Sequence, residues 1–229
     1  LYGPGLASEY AGKEGWKPIE PGDVCWEDIN GDNKINGLDR EVVGNIFPKV
    51  TGGFSSTLSW KGISLYARFD YALGHTLYND LAARTLGQYQ GAFNIITEVK
   101  DMWSEDNPNS DLPAFYYADQ LAKKNITRSN NASASRHNNS SRLYEKADYL
   151  ALRELTLSWD LPKAWTSKAF IQNASVYVTG QNLFYVTGYT GTSPEPVLTN
   201  SDNNENLYGV DQGRYPTPRT VLFGLSVTF

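Results

Sequence analysis

The chain has 229 residues, a formal net charge of −5 at pH 7 and a mean hydropathy of −0.46. The acidic balance argues against a nucleic-acid footprint, and a single cysteine, Cys25, excludes an internal disulfide framework and a cysteine zinc cluster. No apolar run approaches the ~18 residues of a membrane helix, although a barrel crosses with alternating strands that leave a weaker signal.

The first residues, Leu1-Tyr-Gly-Pro-Gly, carry no initiator Met, no basic start and no apolar signal core. The chain therefore reads as the C-terminal piece of a longer polypeptide. Residues 28–39, Asp-Ile-Asn-Gly-Asp-Asn-Lys-Ile-Asn-Gly-Leu-Asp, hold the sharpest chemical motif. Oxygen side chains fall at loop positions one, three, five, nine and twelve: Asp28, Asn30, Asp32, Asn36 and Asp39. Lys34, at position seven, offers its backbone carbonyl. This is EF-hand spacing, with Asp in place of the usual final Glu and Asn33 in place of the usual Gly. Asn tolerates positive φ better than other non-glycine residues. Hard oxygens on a sharply turned backbone predict a structural Ca2+ site; the plain alternative is an acidic turn that binds nothing.

Five strand-like stretches follow. The first, about Thr51 to Trp60, puts Phe54, Leu58 and Trp60 on one face and Ser55, Thr57 and Ser59 on the other. Lys61-Gly62 then makes a tight turn. In the second, about 63–73, Ile63, Leu65, Ala67, Phe69, Tyr71 and Leu73 alternate with Ser64, Tyr66, Arg68, Asp70 and Ala72. Arg68 and Asp70 thus oppose the apolar set, as a wet lumen requires. The third, about 149–161, changes parity, with Leu150 and Leu152 in its first half and Leu155, Leu157, Trp159 and Leu161 in its second. A bulge near Arg153-Glu154 would re-phase it. The fourth, about 174–186, sets Val176 and Val178 against Tyr177, Thr179 and Gln181. The fifth, about 219–229, alternates Val221, Phe223, Leu225, Val227 and Phe229 with mostly small or polar residues. Strands of ~9–11 tilted residues span a bilayer.

The connections run short, long, short, long: two residues, about seventy-five (74–148), about a dozen, and about thirty (187–218). Outer-membrane barrels alternate periplasmic turns and extracellular loops in this way. Five strands do not close such a barrel, whose smallest single-chain forms have about eight.

Several short motifs, in order, carry a resemblance. They are Pro21-Gly-Asp-Val, Asp28-Ile-Asn-Gly-Asp, Asp39-Arg40, Gly44-Asn45, Pro48-Lys49, Thr51-Gly-Gly-Phe54 and Trp103-Ser-Glu-Asp-Asn-Pro108. After them come Tyr149-Leu-Ala-Leu-Arg-Glu-Leu-Thr-Leu157, Leu161-Pro162, Val178-Thr-Gly-Gln-Asn-Leu-Phe184 and Tyr215-Pro-Thr-Pro-Arg219. From about Pro21 to Phe229 the chain resembles SusC/RagA-type TonB-dependent outer-membrane transporters. Cys25 departs from the polar or basic residue more usual at its place. The resemblance implies an all-β fold: the C-terminal strands of a transmembrane antiparallel β-barrel of about 22 strands. It implies that the N-terminal plug, its TonB box and the remaining strands lie outside this chain. It implies residues 1–50 as an extracellular segment, 51–229 as barrel strands with long external loops, and a Gram-negative outer-membrane location. It further implies import of oligosaccharides or peptides, a SusD-like surface lipoprotein as partner, energy from TonB, and no enzymatic activity.

Other readings stand beside it. One is a soluble, secreted β-sandwich with a calcium site, of the carbohydrate-binding kind. Another is a β-rich hydrolase, but Glu105-Asp106 are sequence neighbours and His75 and His137 lie far apart. A dockerin-like module would need two calcium loops, and one is present. In the long loop, Tyr89, Trp103, Phe115, Tyr116 and Tyr117 are candidates for stacking on sugars, contacting a lid protein or packing the loop's own core. Asn125, Asn131 and Asn138 begin glycosylation-type triplets within an Asn/Ser-rich stretch. Asp211 and Arg214 are candidates to brace the last loop.

Overall fold

The computed structural model describes residues 7–8, 21–22, 27–35, 38–86, 96–114, 141–196, 198–200 and 206–229. In chain order the strands are β1 (Ala7–Ser8), β2 (Lys34–Ile35), β3 (Val50–Trp60), β4 (Ile63–Leu73), β5 (Thr76–Asn79), β6 (Tyr144–Lys146), β7 (Tyr149–Asp160), β8 (Asn173–Thr187), β9 (Leu198–Asn200), β10 (Asn206–Tyr208), β11 (Val210–Asp211) and β12 (Thr220–Thr228). Two short helices, α1 (Asp80–Thr85) and α2 (Lys163–Thr166), complete the main elements. The chain divides into two compact units. One comprises Leu1–Gly44, Tyr78–Glu145 and Thr199–Gly213; the other comprises Asn45–Leu77, Lys146–Leu198 and Arg214–Phe229.

The second unit is built on a five-stranded antiparallel sheet ordered β12-β8-β7-β4-β3. Its long strands lie close to the alternating stretches read from the sequence, because the two-residue period is a local property of each strand. The β3–β4 hairpin turns on two residues, Lys61 (φ 48°) and Gly62 (φ 82°). Positive φ at both positions is the turn whose twist matches the flanking strands. A side chain at Gly62 would combine that φ with a Cβ only 3.2 Å from the Asp160 carbonyl oxygen.

Register then puts like with like across the sheet. Leu58, Leu65, Leu157, Val178 and Phe223 are consecutive cross-strand partners. One residue along, on the opposite face, Thr57, Tyr66, Thr156, Thr179 and Leu222 form the next row. Phe54 stacks on Phe69 with centroids 4.9 Å apart. The β7 register shifts between Leu152 and Glu154, leaving Arg153 as the extra residue. That bulge returns Leu150 and Leu152 to the face of Leu155 and Leu157. Where β12 has Gly224, the ring of its partner Tyr177 fills the gap, and a Cβ there would lie 2.0 Å from the ring.

The apolar face of this sheet has no second layer over it among the described residues. Leu58 and Leu225 are each 66 % exposed and Phe223 is 83 % exposed. A sandwich would bury these positions against a facing sheet.

The first unit has small cores of its own. Tyr78, Ala83 and Leu143 form one, with Ala82 and Val210 against it. Leu86 and Met102 form another, with Ile96, Val99 and Leu112. Asn79 caps α1, its Oδ1 accepting from the Ala82 amide at 2.9 Å. Burial pushes the Tyr144 phenol above its ordinary value, and its ring packs on that of Tyr78 with centroids 5.1 Å apart. These elements fall in a stretch that reads as loop from sequence, because segments of three to six residues carry too few periods to register. Trp103 packs within this unit, over Gly22 and beside Ala114.

Candidate functional site

The polar face of the sheet carries hydroxyls along part of its length and charges further on. Ser59 and Ser64 share a hydrogen bond at 2.8 Å, as do Thr156 and Thr179. Arg68 lies 3.9 Å from Glu154. Beyond this pair, Arg153 leaves the β7 bulge and gathers three partners. It donates to both carboxylate oxygens of Asp70, through Nη2 at 2.9 Å and through Nε, to Glu195, and to the Tyr185 hydroxyl at 2.8 Å. Tyr185 in turn donates to Glu195 at 3.1 Å, and Tyr149 packs edge-on against its ring. The Arg153 side chain is 18 % exposed, with Asp70 at 34 % and Glu195 at 25 %.

The cluster ties residues 193–195 to the wall. A second tie lies beside it, where buried His75 donates through Nε2 to the Pro194 carbonyl at 2.8 Å, leaving Nδ1 with no hydrogen-bond partner. A depression of about 530 Å³ opens along Gly52–Ser55 of β3 and Arg68, Phe69, Asp70 and Arg153. Gly53, the cross-strand partner of Asp70, puts no side chain on the charged face, while on the other face the Tyr71 ring covers Gly52. The charged and hydroxyl groups here can hydrogen-bond a polar molecule; they bring no nucleophile and base together.

Sequence parity identifies Arg68 and Asp70 as facing the polar side, and the parity change in β7 marks the bulge. Glu195 had no such signal, because it lies 42 residues from Arg153 in a loop.

The 28–39 loop is tightly turned. Asp28 accepts from the Gly31 and Asn33 amides at 2.8 Å each, and Asn30 Oδ1 accepts from the Asp32 amide at 2.9 Å. Asn33 adopts φ 63°, the role expected of it. Asp39 reaches back to the Ile29 amide at 3.1 Å. Among the described residues no three His, Cys, Asp or Glu side chains are gathered closely enough to hold a metal ion. Asn36 lies outside the described residues, as do Cys25, Tyr89, Phe115, Tyr116, Tyr117, His137 and the triplets starting at Asn125, Asn131 and Asn138. Glu105 and Asp106 sit exposed on the Ser104–Asn107 turn. Asp211 is buried and accepts from the Gly213 amide at 2.9 Å, within the loop it was expected to brace.

A sheet with bare hydrocarbon on one face, hydroxyls and charges on the other, and strands of 9–15 residues has the build of a transmembrane barrel wall. Among the described residues no helix is long and apolar enough to cross a membrane. No protein-family model matches the chain. It is 30 % identical over 213 residues to TonB-dependent receptor P3 of Formosa agariphila, covering 92 % of this chain and 19 % of that protein. It is also 30 % identical over 213 residues to TonB-dependent receptor P26 of the same organism, covering 93 % and 20 %. Among solved structures, the RagAB peptide transporter aligns with TM-score 0.59 and 28 % identity over 80 % of this chain and 17 % of that one. The RagAB peptide importer in its closed-closed state gives 0.60 and 27 % over 82 % and 18 %. The chain spans about a fifth of the length of the relatives it matches. It belongs to the SusC/RagA type of TonB-dependent receptor and corresponds to the C-terminal portion of the barrel.

Proposed function

We propose that the protein containing this chain is an outer-membrane importer of nutrients too large for porins, either oligosaccharides or peptides. The observation that carries this reading is the two-faced sheet, bare hydrocarbon opposite a hydroxyl and charge lining. The outer edges of β3 and β12 have no strand partner among the described residues. An unpaired edge in lipid costs several kcal/mol per backbone group, so the wall is completed by strands from elsewhere in the protein. In this reading the short turns face the periplasm, and the loops at 74–148 and 187–218 face outward with residues 1–50. A SusD-like surface lipoprotein covers the mouth. TonB acts through an N-terminal plug. The RagAB peptide importers support a peptide as ligand; the aromatic content supports a sugar equally. Native purification of the full-length protein from detergent-extracted membranes is expected to bring down a second, lipid-anchored polypeptide. Mass spectrometry of the complex is expected to find a bound oligosaccharide or peptide. A monodisperse species that needs no detergent would overturn the reading.

The same reading includes a structural Ca2+ in the 28–39 loop, held by Asp28, Asn30, Asp32, Asn36, Asp39 and the Lys34 carbonyl. Hard oxygens and the left-handed Asn33 suit that ion. The carboxylates of Asp28 and Asp39 would share their oxygens between the ion and the amides they now accept from. Calcium titration of the full-length protein is expected to give one site of about 10⁻⁴–10⁻³ M, lost in Asp28→Ala. Unchanged binding in that variant would remove the loop from consideration.

A further inference from the structure

The turn end of the sheet carries more aromatic and basic groups than two turns require. Trp60, Ile63, Trp159 and Val176 are consecutive cross-strand partners at that end. Trp165, just past β7, packs edge-on against Trp159 with centroids 5.8 Å apart, extending the apolar face beyond the strand. Trp60 and Trp165 remain 69 % and 59 % exposed. Phe170 is 92 % exposed at φ 58°, a backbone conformation unusual for a bulky residue. Indole rings, with an apolar body and one N–H, favour the boundary between hydrocarbon and headgroups.

Three lysines lie on the same two turns. The Lys61 ammonium sits 4.7 Å from the centroid of the Trp60 ring. Lys163 and Lys168 are exposed on the neighbouring turn. The two turns are joined, the Asp160 amide donating to the Gly62 carbonyl at 2.8 Å. Among the described residues none of the three lysines has an ion-pair partner. Asp160, the last residue of β7, is the one side-chain carboxylate beside the two turns, so their side chains are net cationic within an acidic chain. Lysine stems lie along apolar surface and place their ammonium groups at the depth of lipid phosphates.

We propose that this rim binds the headgroups of anionic phospholipids in the periplasmic leaflet. The proposal rests on the barrel reading for its orientation. Zwitterionic lipids carry the same phosphate but cancel its charge, so the rim selects net anionic lipid. Each lysine near an anionic surface favours it roughly fivefold.

The test uses the full-length receptor in nanodiscs of phosphatidylcholine mixed with phosphatidylglycerol, with lipids retained after detergent release counted by native mass spectrometry. Phosphatidylglycerol is expected to be enriched about tenfold or more over its bulk fraction, falling steeply with salt. The exposed triple variant K61Q/K163Q/K168Q should fold, by its heat-shifted gel band, and lose the enrichment. K61R/K163R/K168R should keep it. Equal enrichment in the Gln variant, or none in the parent protein, overturns the proposal. Orientation is read separately with Ser167→Cys in a Cys25→Ser background, set against the Cys25→Ser protein alone, and a membrane-impermeant maleimide. Labelling only after the outer membrane is permeabilised supports the periplasmic placement; labelling on intact cells overturns that orientation whatever the lipid result.

Discussion

Leu155→Arg is expected to destabilise the folded barrel by about 2–4 kcal/mol. Leu155 lies in the middle of the rows that Leu150, Leu152, Leu155, Leu157 and Trp159 mark on the apolar face, between Ala67 and Gly180. A guanidinium there would have to shed its water into hydrocarbon or drag water and headgroups inward. Near the interface the same substitution costs about 0–1 kcal/mol, because the side chain snorkels to the headgroups. Leu150→Arg, near one end of β7, should therefore be far milder. Thr57→Lys, exposed on the polar face, should change stability by less than about 0.5 kcal/mol. Urea unfolding of the full-length receptor in lipid vesicles measures all three. Equal costs for Leu155→Arg and Leu150→Arg would argue that the face does not meet lipid.

Arg153→Ala is expected to cost about 2–3 kcal/mol, somewhat less than breaking a fully buried pair because Asp70 and Glu195 keep some water. The substitution removes the shared cation and leaves two carboxylates and the Tyr185 hydroxyl facing one another. It should also loosen residues 193–195, which would then be held by the His75–Pro194 and Tyr185–Glu195 hydrogen bonds. Limited proteolysis near Glu195 should accelerate alongside the loss of stability. The triple variant Arg153→Met, Asp70→Asn, Glu195→Gln should recover much of the loss, since no unpaired charge remains. A single Arg153→Ala variant as stable and as protease-resistant as the parent would show that the cluster does not anchor the loop.

The sequence by itself determined the strands, their facing and one irregularity. Alternation is written within each strand, so Ile63 to Leu73 and Val221 to Val227 identify their apolar faces without knowledge of any partner. The parity change from Leu152 to Leu155 marks the β7 bulge for the same reason, since a two-residue period allows no other local repair. The ordered motifs from Pro21 to Arg219 added the family.

Tertiary structure decided which distant groups meet. Glu195 reaches Arg153, and Pro194 reaches His75 across 119 residues, because four strands fold the chain back on itself. The small cores around Tyr78 and Leu86 likewise depend on contacts between segments too short to show a period alone. The rim of Trp60, Trp159, Trp165 and Lys61 is assembled by register, which pairs residues about a hundred positions apart. Local patterning sets which way a side chain faces; only pairing sets what it faces.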